Sequence, residues 1–297
     1  MAFTSMEEWL KCCGEKNLSM AEAVILEDMN DRGVTREETC SQMMNLWNAM
    51  RSSEQDYDRT LRSHSGLAGG AAGQMEDYLK EGNTLCGDTM GSVIMRALRL
   101  GESNACMKRI VAAPTAGACG VLPAVLVTEA EKESFSDAKM TEALFVAAGI
   151  GQVIAARASI AGATGGCQAE IGSASSMAAG ALVCLKNGSP EQAANAAAIA
   201  MKNLLGLVCD PVAGLVEVPC IKRNVIGAVN AMAAADMALA GIPSAVPADQ
   251  VFDAMKEVGE KMNASLRETA EGGLAATKAG RTVSERLRDN GRKITGS

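Results

Sequence analysis

An all-α fold is what this sequence predicts, and three observations carry the prediction. Alternating β-branched stretches of five or more residues are absent. Ala and Gly saturate the middle of the chain. Hydroxyl-bearing start signals recur just ahead of segments with helical apolar spacing. Hydrophobic residues make up 48% of the 297 positions, enough for a large core, but aromatics are only 3%. The filling must therefore come from small and aliphatic side chains, so the helices should approach one another closely.

Residues 1–62 read as a helical N-terminal part. Ser19-Met-Ala-Glu22 and Thr35-Arg-Glu-Glu38 each match a capping box, with Asp31-Arg-Gly33 as the turn between them. Met43, Leu46, Trp47 and Met50 follow helical spacing and are expected in the core. Ser63-His-Ser-Gly-Leu-Ala-Gly-Gly70 is a glycine-rich loop whose amides could receive an anion or simply turn the chain. It lacks the Lys and Ser/Thr of a nucleotide P-loop. Ala113-Pro-Thr-Ala-Gly-Ala-Cys-Gly120 is a second such loop, ahead of a helix from about Leu122 to Glu129.

A surface turn, Glu131 to Asp137, precedes a long helix from about Thr141 to Ala156. Its apolar run is shorter than the ~20 residues a bilayer needs, so it reads as a core helix and no membrane association is expected. The loop from Arg157 to Gly172 follows. Ser173 is expected to cap a helix to Lys186. Ser189-Pro-Glu-Gln192 opens the next helix, with Ser at N-cap, Pro at N1 and Gln at N3, ending at Gly206. Helices from about Asn224 to Ala240 and Ala248 to Asn263 complete the set. No domain boundary interrupts the chain: 1–62 lead into a core of 63–280, and the charged tail 281–297 is expected to fray.

A net charge of −7 and a pI near 5.0, with no dense Lys/Arg run, argue against a nucleic-acid partner. The chain opens without the basic-then-apolar order of a signal peptide, and ten cysteines then point to a reducing, cytoplasmic setting with thiols or ligands rather than disulfides.

Three of these cysteines stand in glycine-rich or proline-marked turns at predicted helix ends: Cys167, Cys209 and Cys220, 42 and 11 positions apart. Cys-x₂-Cys knuckles are missing and His64 is the only histidine, which disfavours a structural zinc site. An iron–sulfur cluster tolerates thiolates this widely spaced. Three ligands on a four-iron cube leave one iron open as a Lewis acid for a hydroxyl or water. Three buried thiols in turns is the simpler structural alternative.

The segments Ala158 to Ala179 and Lys202 to Asn224 closely resemble the iron–sulfur-dependent L-serine dehydratase family. Ser65-Gly-Leu-Ala-Gly-Gly70, Ala113-Pro-Thr-Ala-Gly117, Glu268-Thr269 and Gly272-Gly-Leu-Ala-Ala276 are similar to its other motifs. The resemblance implies the alpha subunit of the two-chain type, partnered by a separate beta chain. It implies a [4Fe-4S] cluster on Cys167, Cys209 and Cys220, and deamination of L-serine to pyruvate and ammonia without pyridoxal phosphate. Single-chain relatives end in a cysteine that can cap the open iron; this chain ends Lys293-Ile-Thr-Gly-Ser297 and lacks one.

For the substrate carboxylate the candidates are Arg157, Lys222 and Arg223, or the backbone of Ser65-Gly66 and Thr115–Gly117. Ser65 is the candidate base, a hydroxyl in a glycine loop beside a Lewis acid; His64 reads as a loop residue. The same cage could instead act on L-threonine or L-cysteine, since one methyl group is worth only ~1–3 kcal/mol of discrimination. A non-catalytic iron–sulfur sensor subunit is the alternative outside enzymes.

Overall fold

Helix signals in the N-terminal part produce the elements they announce. The computed structural model describes residues 3–295. Ser19 caps α2 (Met20–Arg32) by accepting the Glu22 amide, and Thr35 with Glu38 forms a complete capping box on α3 (Arg36–Gln55). Glu22 does not reach back to close its own box because its carboxylate pairs with Arg36 across the α2–α3 turn. Gly33 ends α2 in the left-handed conformation. Of the four expected core residues in α3, Trp47 and Met50 are buried, Met43 is half-buried and Leu46 faces solvent.

Thirteen α-helices make up the described residues, and the one β-type pairing is an isolated parallel bridge, Cys209 to Arg267. α1 (Met6–Lys16) lays Trp9 into the core against Phe3. α4 (Ala71–Lys80) and α5 (Gly87–Ala105) pair after the first glycine-rich loop. α6 (Val121–Glu133) overruns the expected surface turn, and Ser134 ends it. α7 runs Asp137–Arg157, longer than the apolar run inside it, because Ser136 caps it upstream. By length and composition α7 could cross a membrane, but it is largely buried against α2, α3 and, beyond the single turn α8 (Gly162–Gly165), the helix Ser173–Leu185.

α9 (Ser173–Leu185) is the centre of the fold. Nearly every residue in it is buried, as expected for a helix apolar on all sides. α6, α7, α10 (Pro190–Lys202) and α11 (Cys220–Leu239) surround it. Small residues set the spacing: a Cβ on Gly180 would stand 2.2 Å from Ile150 Cδ1 of α7. α10 carries the expected Ser189/Gln192 capping box and Pro190 at its start, but it ends at Lys202. Gly206, in the left-handed region, instead closes the turn beyond it.

Two further expectations are revised. Ser173 caps nothing: α9 continues backward without a break into a π-turn over Gln168–Gly172, and the Ser173 hydroxyl is buried without a partner. The charged tail does not fray within the described residues. After α12 (Ala248–Lys261), α13 runs Lys278–Thr295 and packs on the turn Val212–Gly214. Residues 296–297 of that tail lie outside the described residues.

A buried ion-pair network ties α3, α4, α5 and α6 together. Glu54 forms an ion pair with Arg96 (2.8 Å) and accepts from Arg99 (2.5 Å), and these arginines also reach Glu131 and Glu76. Removing one partner of a buried network strands the others. Glu54→Ala should therefore cost roughly 3 kcal/mol in chemical denaturation, and Arg36→Ala, at an exposed pair, well under about 1 kcal/mol.

Candidate active site

Three separate segments bring their cysteines to one locus. Cys167 opens the π-turn ahead of α9, Cys209 lies on the extended strand-like segment bridged to Arg267, and Cys220 is the first residue of α11. All three are buried, and each belongs to a helix start or a paired segment rather than to a free loop. The carbonyl of Leu266 accepts the Cys209 amide (2.8 Å), and the carbonyl of Cys209 accepts the Glu268 amide (2.7 Å). The π-turn widens the helix by one residue where α9 meets the site, a deviation common at functional positions.

Burial pushes the thiols of Cys167, Cys209 and Cys220 up to about 12. Burial alone does not single them out, because Cys119 is also pushed up to about 12. Their mutual electrostatics does: Cys167 feels Cys220, Cys209 feels Cys167 and Cys220 feels Cys209, while Arg223 pulls in the opposite direction on all three. Among the described residues no three Cys, His, Asp or Glu side chains converge to hold a single metal ion. In an iron–sulfur cluster each thiolate binds a different iron, so its ligands need not meet at a point.

Arg223 is the hub. Its guanidinium donates to Val208 O (2.6 Å) and Asp210 Oδ1 (2.8 Å), and its charge favours the thiolate of Cys167. The other Asp210 oxygen accepts the Leu274 amide (2.8 Å), which draws the Gly272–Ala276 motif against the cysteine segments. Gln168 fixes the π-turn from within, donating to Met255 O and accepting the Gly206 amide.

Two loops flank the cysteines. In the second, Thr115 Oγ1 donates to Glu170 Oε1 (2.6 Å). Asn224 ties Gly117 O and the Gly120 amide to the first turn of α11. Gly117 and Gly162 form a cradle that side chains would fill: a Cβ on Gly117 would lie 3.1 Å from Glu170 Oε1. One on Gly162 would lie 2.9 Å from Glu170 Oε2 and 3.2 Å from Cys209 Sγ.

In the first loop the hydroxyls of Ser63 and Ser65 both donate to Glu217 Oε2 (2.8 and 2.6 Å), all three residues being buried. Glu217 stands three residues before Cys220, so this carboxylate couples the loop to the start of α11. The Gly66 amide donates to Ser63 O, which occupies it within the loop. Glu102 accepts the Ala71 and Ala72 amides and the Tyr57 hydroxyl, so a carboxylate on α5 caps α4 where Gly70 has no side chain to do so. From outside, Arg286 of α13 donates to Ser65 O (3.0 Å). His64 points to solvent between the two buried serines, in keeping with a loop residue.

The expected substrate-binding residues divide. Ser65, Gly66, Thr115, Gly117 and Arg223 come to the site. Arg157 does not: the end of α7 turns toward α12, where Arg157 pairs with Asp253 (2.6 Å) and approaches Asp249 (3.8 Å). Lys222 is exposed, one position round the helix from the buried Arg223. Glu170, Asp210, Glu217, Asn224 and Arg286 were not anticipated. Glu170 three residues after Cys167 and Asp210 beside Cys209 were the sequence signals available.

The donor set fits an iron–sulfur cluster: three buried thiols near one another, an arginine to balance thiolate charge, and glycines that leave room. Without a cluster the three thiols are held neutral. Their folded pKa of about 12 lies above the ordinary 9.0, so the stability they contribute is complete below pH ~9 and is lost as pH rises toward ~12. Cys13 and Cys184, pushed up to about 11, add to the same trend. The cluster-free chain should hold its melting temperature through neutral pH and lose it steeply above about pH 9. Replacing the three site cysteines by alanine should shrink that fall.

Comparison with known proteins gives the family of the chain. The family model described as serine dehydratase alpha chain matches residues 15–275. A probable L-serine dehydratase alpha chain of Bacillus subtilis is 46% identical over 285 residues, covering 96% of this chain and 95% of that one. The L-serine dehydratase alpha chain of Peptoniphilus asaccharolyticus is 42% identical over 277 residues, covering 93% and 95%. L-serine dehydratase 1 of Escherichia coli is 40% identical over 283 residues; the match takes in 92% of this chain but only 61% of that longer protein. With these matches running through all three cysteine segments and both flanking loops, the chain belongs to the serine dehydratase alpha chain family.

Proposed function

We propose that this chain is the catalytic subunit of an L-serine dehydratase, a lyase that converts L-serine to pyruvate and ammonia. Cys167, Cys209 and Cys220 would hold a [4Fe-4S] cluster, and a separate beta chain would complete the enzyme. The observation that carries the reading is the meeting of three buried thiols from three segments around Arg223, inside a chain whose relatives carry the serine dehydratase name. The beta chain is inferred from the alpha-chain names of two relatives and from the longer single-chain relative, of which this chain matches 61%. Ten free cysteines favour a reducing, cytoplasmic setting.

A four-iron cluster held by three protein sulfurs supplies, at its remaining iron, a Lewis acid for the hydroxyl of the substrate. The chain's own residues do the rest. Arg223 places a cation beside the ligand sulfurs and so favours their deprotonated, ligating form. With Arg157 turned away, Lys222 in solvent and the Gly66 amide taken by Ser63 O, carboxylate recognition falls to Arg223 and to the loops at Ser65 and Thr115–Gly117. The Ser65 hydroxyl already donates to Glu217. A proton taken by Ser65 from the substrate therefore has an acceptor in place, which makes Glu217 the partner of the proposed base.

The test is anaerobic purification together with the beta chain, followed by pyruvate assays on L-serine, L-threonine and L-cysteine. L-Serine should be turned over fastest, and a brown protein with no turnover of any of the three would sink the catalytic reading in favour of a sensor subunit. Cys167→Ala, Cys209→Ala and Cys220→Ala should each lose the brown colour and the activity; full iron content in one of them removes that cysteine from the ligand set. Air should inactivate the enzyme and anaerobic Fe²⁺ with thiol should restore it.

A further inference from the structure

We propose that Glu170 receives the α-ammonium of the amino acid substrate, an inference that rests on reading the site as one for L-serine. Glu170 sits in the π-turn three residues after Cys167, and its charge is felt by all three site thiols. Its hydrogen-bond partner is a neutral hydroxyl, Thr115 Oγ1. Among the described residues no lysine, arginine or histidine pairs with it. Arg223, the cation of the cysteine locus, is engaged by Asp210 and Val208.

A half-buried carboxylate with no cation beside it bears a desolvation cost that a cationic ligand would offset. Here desolvation raises the Glu170 pKa and Glu268 raises it further. A cationic ligand opposes both effects. Glycine, with no side chain to compete for the oxygens, stands on both sides of the carboxylate. Gly117 faces Oε1, and Gly162 faces Oε2 at the point where Cys209 Sγ also approaches. An ammonium bound there is held by a charge-assisted hydrogen bond and stands beside the three sulfurs. A β-hydroxy-α-amino acid carries its ammonium one carbon away from the hydroxyl-bearing carbon. One molecule can thus reach Glu170 and the cysteine locus together.

The experiment compares ligands with and without the amine in the reconstituted enzyme with its beta chain. L-Alanine and propanoate share a carbon skeleton, and neither has a hydroxyl to lose, so calorimetry reads binding without turnover. Glu170→Gln keeps the shape and the oxygen that accepts from Thr115. It should weaken L-alanine about tenfold to a hundredfold and leave propanoate unchanged or tighter. The KM for L-serine should rise by a similar factor, while the Ki of 3-hydroxypropanoate, which lacks the amine, should not. Equal losses for L-alanine and propanoate, or no loss for L-alanine, overturn the proposal.

If the glutamine variant fails to fold, Thr115→Val decides. Freeing the carboxylate from its hydroxyl partner should shift the L-alanine to propanoate ratio, and an unchanged ratio overturns the proposal. A wild-type enzyme that binds neither L-alanine nor L-serine and makes no pyruvate would overturn the amino-acid reading itself. A wild type that does all three beside an indifferent Glu170→Gln overturns only the role of Glu170.

Discussion

The Arg223–Asp210 ion pair is the constraint on which the site hangs. Arg223 comes from the first turn of α11, three residues after Cys220; Asp210 is adjacent to Cys209; and the charge of the same guanidinium favours the thiolate of Cys167. One buried pair thus ties the segments of Cys209 and Cys220 together, and through the Leu274 amide it holds the C-terminal motif as well. Such pairs add little net stability over apolar packing, because desolvation cancels much of the attraction. What this one provides is position: two charges with demanding geometry leave few alternative arrangements for the chain around them. The same guanidinium also lowers the pKa of all three thiols.

The core makes this arrangement rigid by being built from small residues. α9 is surrounded on all sides, and its Ala and Gly residues let α7, α10 and α11 approach closely. Close-packed helices with few flexible side chains between them transmit position well. The π-turn that carries Cys167 and Glu170 is a direct continuation of α9, so both residues are anchored in the most buried element of the protein. The loops that face them are pinned from the periphery instead, by Glu102, Glu217, Asn224 and Arg286.

Much of this was legible in the sequence, and the failures have physical causes. Helix starts are local events: Ser19, Thr35 and Ser189 cap as their spacing foretold. The three cysteines stood out because glycine and proline mark the turns around them. Arg157 was misplaced because proximity to Cys167 along the chain was taken for proximity in space, whereas the end of α7 is drawn outward by Asp249 and Asp253. Ser173 looked like a cap because a π-turn has no sequence signature of its own. The tail looked frayed from its charge, but Val283 and Leu287, spaced one turn apart and half-buried, give α13 a face to dock with. Glu217 and Asn224 act across more than 100 residues of sequence, and a single chain offers no cue for partners at that range.

The π-turn makes the centre intolerant of a change that would look harmless on paper. Deleting one residue between Gln168 and Gly172 would restore regular i to i+4 bonding and give a smoother helix. Each residue of an α-helix turns by about 100°. Healing the irregularity would therefore swing Cys167 and its upstream segment round the axis, away from Cys209 and Cys220, while the core below stayed intact. The protein keeps a locally inferior backbone because the superior one would point its chemistry in the wrong direction.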